Sequence, residues 1–246
     1  MIVAAALCPA PPLLVPPLTG AQRVAADLRA ACLDCVAEII SATPDVIAVV
    51  GAAESTSTWA GGSVLNEASF APGLGNGRVG PAAAGAAGTA DLPPSLGVGA
   101  WLLDLAGEYG YTAERVLQSV AHDEPPGRCA DIGAGLANLA GAAGRVGLLV
   151  MADGSARRGL RAPGYMDERS IAFDAEVEQA VRSGRLEALL AIDPSLAADL
   201  MATGRPAWQV LAGALAGRKV SSEVRYCDDP FGVAYLAASF GVRQDS

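Results

Sequence analysis

The stretch RVGLLVMADGSARR, residues 145–158, carries the clearest fold signal in this chain. Its first eight residues are almost continuously apolar, which is typical of a strand buried on both faces of a parallel sheet. Asp153, Gly154 and Ser155 follow, and these residue types favour a tight turn. Because ligands of open α/β sheets bind at the carboxyl ends of the strands, we expect functional groups at this turn.

Apolar runs and helical patterns alternate along the rest of the chain. Other runs predict strands at 1–7, 45–51, 115–121, 222–227 and 232–240. Helical spacing predicts helices at 24–40, 98–110, 129–143, 170–183, 185–191, 194–204 and 206–216, with Asp193 as the cap of the sixth. This alternation predicts a single three-layer α/β/α domain over residues 1–246, with a mostly parallel central sheet.

The composition limits the classes of function. The chain has 246 residues, 52% of them hydrophobic, and a net charge of −9 at pH 7, which argues against a nucleic-acid or anionic-membrane partner. The apolar run at 1–7 is too short for a signal peptide or a membrane span, and five cysteines without a regular framework fit a cytoplasmic protein. Cys32 and Cys35 form a CxxC motif, interpreted as buried residues of a helix in preference to a redox or metal site.

Two further motifs are weak signals. GNGRVG at 75–80 matches G-x-G-x-x-G, but loop-like sequence flanks it on both sides, and the surrounding segment 71–94 reads as a long mobile loop. His122 is the single histidine, so one subunit offers no multi-histidine metal site, and a Ser-His-Asp triad would have to use it. We favour a loop or surface role for His122, with a base or ligand as the alternative.

The segment CPAPPLLVPP, residues 8–17, follows the first strand, and half of it is proline. Proline fixes φ and lacks the N–H donor, so we expect a stiff extended loop here. The residue that this loop presents is Ala10, where a functional side chain would be expected.

Three arginines, Arg157, Arg158 and Arg161, follow the turn after residue 152 in an otherwise acidic chain. Forked hydrogen bonds from Arg157 and Arg158 could hold a carboxylate or phosphate, so a small anion is the predicted ligand there. The alternative is a solvated loop whose arginines pair with acidic side chains of the same chain.

These segments together resemble the class III extradiol ring-cleavage dioxygenase superfamily, whose relatives include the Memo proteins. The resemblance rests on four stretches, at 1–14, 44–51, 151–174 and 228–240, and is most marked to a degenerate bacterial branch. It implies an extradiol-dioxygenase/Memo-like fold. In the wider family, two histidines and a third ligand, Glu or Cys, bind Fe²⁺, and a further histidine is the catalytic base.

The chain departs from the family pattern at every histidine. The resemblance places Ala10 at the first iron-binding histidine, Ala52, Ala53 and Glu54 at the second, and Ala156 at the catalytic base. Glu223 is the candidate third ligand, and Cys227 is the second candidate. A ferrous site of this kind needs imidazoles beside a carboxylate, so no metal or other cofactor is expected here.

The vestigial cleft is therefore predicted to comprise Ala10, Ala53, Glu54, Asp153, Ser155, Ala156 and Glu223, without an assigned catalytic residue. The first hypothesis is a non-enzymatic protein that binds a ligand or a protein partner through this cleft. The alternative is an enzyme, either an iron(II) dioxygenase with ligands from elsewhere or another subunit, or a metal-free enzyme that uses Asp153, Glu54 or Glu223. A homo-oligomer is left open.

Overall fold

The computed structural model describes residues 1–19, 25–59, 65–66, 78–79, 92–107, 113–141 and 144–243. The strands are β1 (Ile2–Cys8), β2 (Val46–Ala53), β3 (Ser57–Trp59), β4 (Leu65–Asn66), β5 (Arg78–Val79), β6 (Glu114–Ala121), β7 (Val146–Met151), β8 (Val220–Asp228) and β9 (Tyr235–Val242). The α-helices are α1 (Pro16–Thr19), α2 (Ala26–Ser41), α3 (Pro94–Gly107), α4 (Pro126–Leu136), α5 (Arg169–Ser183), α6 (Pro194–Asp199) and α7 (Arg205–Ala214). Pro12–Leu14 and Leu186–Ala191 form 3-10 helices.

Seven strands form one mixed sheet in the order β3-β6-β2-β7-β1-β9-β8. The four strands β6, β2, β7 and β1 are parallel neighbours, whereas β3 at one edge and β9 and β8 at the other pair antiparallel. The α/β class is confirmed, but the parallel pairing is limited to these central strands. The reason is local: β8 and β9 are joined by a short turn, and only antiparallel strands can be connected so tightly.

Each central strand contributes to two hydrophobic cores. In β7, Val146, Leu148 and Val150 contact one core, which contains apolar residues of α4, α5 and α7. Leu149 and Met151 belong to the other core, with residues of α2 and α3. Because successive side chains of a strand point to opposite faces, the two cores lie on opposite sides of the sheet.

Helices α4 and α7 approach each other closely through two glycines. A Cβ atom built on Gly133 would lie 2.2 Å from the carbonyl oxygen of Val210, and one on Gly213 would lie 2.4 Å from that of Ala130. No side chain fits at either position without movement of the backbone. This contact fixes α7, whose first residue, Arg205, reaches toward the carboxyl edge of the sheet.

The prediction of an extended loop after β1 is wrong in part. A 3-10 helix and α1 occupy Pro12–Leu14 and Pro16–Thr19. Their prolines stand in the first turn of each helix, where a backbone N–H has no partner within the helix in any case. Proline is unfavourable only in the interior of a helix, and neither of these helices is long enough to have an interior.

Other sequence predictions agree with the described elements except at their ends. The Asp193 carboxylate caps α6, with its Oδ1 accepting from the N–H groups of Ser195 at 2.7 Å and Leu196 at 3.2 Å. The helix predicted to reach residue 204 ends at Asp199, and the one predicted at 129–143 spans Pro126–Leu136. Strands β3, β4 and β5 were not predicted. Of the loop predicted at 71–94 and its GNGRVG motif, only 78–79 and 92–94 lie within the described residues.

Four cysteines, Cys8, Cys32, Cys35 and Cys129, are buried as free thiols, and Cys227 is exposed. Cys32 and Cys35 lie in the core formed by α2 and β1, which confirms their interpretation as buried helix residues. Throughout the described ranges, the helices are all too short or too polar to cross a membrane.

Candidate functional site

A cavity of about 550 Å³ lies at the carboxyl ends of β1, β2 and β7. Four residues of the predicted cleft line it: Ala10, Ala53, Glu54 and Asp153. The parallel pairing of β1 with β7 and of β7 with β2 brings the ends of these three strands to one edge. The edge at which we predict functional residues therefore contains a defined cavity.

Ala10 contributes its backbone to the cavity. Its N–H donates a hydrogen bond to Oδ1 of Asp153, with an N···O distance of 2.9 Å. The N–H of Ala152 bonds the carbonyl of Cys8 at 2.8 Å, so the pairing of β1 and β7 continues up to this point. The proline-rich segment thus holds an amide in place, and the small methyl group of Ala10 leaves room in the cavity.

Asp153 is the central acidic group of the cavity. Burial raises the pKa of its carboxyl from 3.8 to about 6, and the hydrogen bond from the Ala10 N–H opposes part of that rise. Oδ2 has no hydrogen-bond partner in the described part of the chain. Most Asp153 side chains are ionised at pH 7, and one oxygen is free to accept a hydrogen bond from a ligand.

His122 and Glu54 form a second polar group in the cavity. His122 Nε2 lies 3.8 Å from Glu54 Oε1, and the backbone N–H of His122 bonds the Ala53 carbonyl at 3.1 Å. The side chains are 43% and 99% exposed, so solvent weakens their attraction. The surface role predicted for His122 was incomplete: β6 pairs in parallel with β2, so the residue that follows β6 meets Ala53 at the same edge.

Buried Arg205 positions the loop that carries His122. Its guanidinium donates hydrogen bonds to the carbonyl oxygens of His122 and Glu124 and, at 2.9 Å, to Oε1 of Gln209. Burial lowers the pKa of Arg205. Sequence reasoning missed this residue, because nothing in the pattern of α7 distinguishes a buried arginine from a solvated one.

Apolar side chains form the walls of the cavity, among them Trp59, Leu92 and Met151. The indole Nε1 of Trp59 donates to Oγ of Ser119 at 3.1 Å, which restrains the ring. Ser95, at the start of α3, also lines the cavity, and its Oγ donates to the Ala52 carbonyl at 2.7 Å. The site is therefore an apolar space with a few fixed polar groups, as small-molecule sites commonly are.

Ser155 and Ala156 lie outside this cavity. The N–H of Ser155 donates to Oδ1 of Asp174 on α5 at 3.0 Å, and its hydroxyl donates to Oδ2 of the same carboxylate. The N–H of Ala156 bonds the carbonyl of Leu200 at 3.0 Å. The chain turns away from the cavity after Asp153, so both residues anchor the loop to the helices behind it.

The arginines that follow do not form one site. Arg158 Nε donates to Oδ2 of Asp229 at 2.7 Å and lies 3.8 Å from Oδ2 of Asp174. The alternative prediction, pairing with acids of the same chain, therefore holds for Arg158. Arg157 Nε is buried without a hydrogen-bond partner in the described residues, and Arg161 is exposed. An anion site at Arg157 and Arg158 remains a prediction.

Glu223 is not part of the cavity, and its predicted place in the cleft is corrected. It lies midway along edge strand β8, opposite Ser239, with its side chain 67% exposed and an ion pair to Arg225 at 3.2 Å. Strand β9 separates β8 from β1, so Glu223 lies away from Ala10 along the sheet. Cys227, near the end of β8, lines a different cavity of about 410 Å³ together with Arg158.

The described residues do not provide an iron site. Among them, no group of three or more His, Cys, Asp or Glu side chains is arranged to hold a metal ion. The cavity offers one imidazole and two carboxylates, whereas the ferrous site of the resembled family needs two imidazoles. The absence of a bound metal in the working protein remains a prediction.

Comparison with known proteins supports the fold alone. No protein-family model matches the chain, and no curated protein sequence matches it. Among solved structures, the crystal structure of an uncharacterized protein, JW3007 from Escherichia coli K12, aligns with 96% of this chain and 99% of that chain. The TM-score is 0.56 at 13% sequence identity, so this chain is similar in fold to that protein.

Proposed function

We propose that this chain is a non-enzymatic ligand-binding protein with a three-layer, extradiol-dioxygenase/Memo-like fold. In this proposal, a small molecule occupies the cavity at Asp153, in the region where the enzymes of that superfamily hold iron. The observation that carries the proposal is the Oδ2 of Asp153, which has no hydrogen-bond partner among the described residues, in a cavity of about 550 Å³ with apolar walls. A carboxylate placed in this way binds the N–H or O–H donors of a ligand strongly.

The lack of a ligand set for iron supports a binding role over ring cleavage. No histidine stands at the positions that the resemblance assigns to iron-binding histidines, which are Ala10 for the first and Ala52, Ala53 and Glu54 for the second, and the three alanines line the cavity. Their small side chains leave the space open. A cytoplasmic location is also proposed, and five free thiols support it.

A metal-free acid–base enzyme is the second candidate. The observation that favours it is the pKa of about 6 of Asp153, which suits a group that exchanges protons near neutral pH. His122 lines the same cavity and is a second titratable group. We rank this function lower, because the side chains of His122 and Glu54 are exposed, so neither is enclosed by the cavity.

Catechol, a small aromatic molecule with two hydroxyl donors, is a suitable first probe. Trp59 is the one tryptophan among the cavity-lining residues, and Trp101 and Trp208 are buried in the cores, so fluorescence quenching on titration reports mainly on the cavity. We expect saturable quenching that weakens roughly tenfold in Asp153→Asn, because a hydrogen bond to a charged acceptor is lost. The matched control is Glu223→Gln, which removes an exposed carboxylate elsewhere and leaves binding unchanged.

The same samples test the dioxygenase alternative. Catechol is incubated in air with and without added Fe²⁺, and oxygen uptake and ring-cleavage product are followed. The proposal expects neither above the level of buffer with Fe²⁺. Turnover that depends on the protein would contradict it and support the dioxygenase, and absence of saturable quenching by catechol would remove the evidence for binding.

A further inference from the structure

We propose that the natural ligand of the cavity is a small organic cation, a primary amine carried on an apolar or aromatic body. This inference rests on the proposed function, since it names the ligand class of the same cavity. It differs from the sequence prediction of a small anion at Arg157 and Arg158.

The charge of the cavity lining points to a cation. Asp153 and Glu54 both line the cavity, and among its described lining residues there is no lysine or arginine. An anion would meet two carboxylates there, and the imidazole of His122, the one other ionisable group of the described lining, already lies 3.8 Å from Glu54. A cation would meet both with opposite charge, in a chain whose net charge of −9 attracts cations from a distance.

Asp153 provides the main contact. Its Oδ1 accepts from the Ala10 N–H, which holds the carboxylate in one orientation, and Oδ2 has no partner in the described ranges of the chain. Water is partly excluded at this position, where the attraction between opposite charges is stronger than in bulk solvent. An ammonium group donates hydrogen bonds and has a positive charge. Asp153 has no such cationic partner among the described residues.

The apolar walls suit the body of such a ligand. Trp59 is restrained by its hydrogen bond to Ser119, and aromatic rings attract cations through their negative faces. Met151 and Leu92 provide further apolar surface. These groups would hold an aromatic or aliphatic body of the ligand and exclude water from its contact with Asp153.

The nearby arginines do not offset this preference. Arg205 approaches the site, but its guanidinium is directed to the carbonyl oxygens of His122 and Glu124 and to Gln209, and the residue itself is not part of the lining. Arg158 is paired with Asp229 outside the cavity. The two carboxylates of the lining therefore set the sign of the charge that a ligand meets.

Benzylamine, benzyl alcohol and benzoate have nearly the same shape but differ in charge. Differences in their affinities therefore report the effect of charge and not of shape. Each is titrated against the full chain at pH 8, with Trp59 fluorescence and calorimetry as readouts. We expect benzylamine to bind roughly tenfold more tightly than benzyl alcohol, because the ionic hydrogen bond is stronger than the neutral one. Benzoate should bind most weakly.

Two variants test whether Asp153 causes the preference for benzylamine. Asp153→Asn should reduce the ratio of benzylamine to benzyl alcohol affinity to near one, whereas Glu223→Gln should leave it unchanged. The inference would be overturned if benzoate bound as tightly as benzylamine, or if Asp153→Asn did not change the ratio of benzylamine to benzyl alcohol affinity. The cavity would then still bind ligands, but it would not prefer cations. Failure of all three probes and of catechol would overturn the proposed function itself.

Discussion

At the scale of single residues, Asp153 links the cavity to the stability of the protein. Its carboxyl is partly buried, and among the described residues a single hydrogen bond, from the Ala10 N–H, stabilises its charged form. Ionising it in the folded state is therefore harder than in the unfolded chain. A carboxylate kept at such a cost in free energy is typical of a functional position more than of a structural one.

The expected effect on stability has a definite sign. The pKa of Asp153 is about 6 in the folded protein and 3.8 ordinarily, so the folded state holds the proton more tightly. The contribution of this group is fully present below about pH 4 and is lost as the pH rises through 6. Asp153→Asn should therefore stabilise the protein at pH 8, by up to about 3 kcal/mol, and have little effect at pH 4.

Urea unfolding of the wild type and of Asp153→Asn across pH 4 to 8 measures this difference. Asparagine keeps the shape and can still accept from the Ala10 N–H. Glu223→Gln serves as the control, because its carboxylate is exposed. A difference between wild type and Asp153→Asn that does not change with pH would show that desolvation of this carboxylate is not its source.

At the scale of elements, the pair α4–α7 connects the core to the site. The helices meet through Gly133 and Gly213, and the first residue of α7, Arg205, holds the loop of His122. A shift of α7 would therefore move the cavity wall. Glycine is required at Gly133 and Gly213 by lack of space and not by backbone conformation, since φ is positive at neither position.

Two glycines of the same helix give a matched test of that contact. In Gly133→Ala the new methyl would meet the backbone of α7, so we expect destabilisation of about 1–3 kcal/mol. In Gly135→Ala nothing lies within 4 Å, and the better helix propensity should stabilise by about 0.5 kcal/mol. Urea unfolding midpoints that move equally in the two variants would exclude tight packing at Gly133.

At the scale of the whole molecule, the sequence predicted more of the fold than of the site. Apolar runs such as 45–51 and 145–152 indicate buried strands because the composition and length of a run are local properties. The antiparallel pairing of β9 with β1 depends on strand order, which no local pattern encodes. Only four of the seven proposed cleft residues line the cavity.

Three residues, Ser155, His122 and Arg205, owe their places in the structure to contacts that the local sequence does not show. Ser155 follows Asp153 by two positions, yet the backbone turns between them and the serine bonds Asp174. His122 is exposed, as predicted, and the parallel pairing of β6 with β2 also places it beside Ala53. Arg205 is a charged residue whose partners, two carbonyl oxygens and an amide, are visible only in three dimensions.

The positions of the buried thiols allow the cooperativity of unfolding to be measured without an added label. Cys8, Cys32 and Cys35 belong to the core on the α2 side of the sheet, Cys129 belongs to the core on the α4 side, and Cys227 is exposed. An alkylating reagent therefore reaches four of them only when a core opens. If residues 1–246 form one domain, pulses of iodoacetamide at rising urea should modify all four over the same concentration range, as adduct masses would show. Earlier modification of Cys129 alone would instead mean that one face of the sheet can lose its helices while the other keeps them.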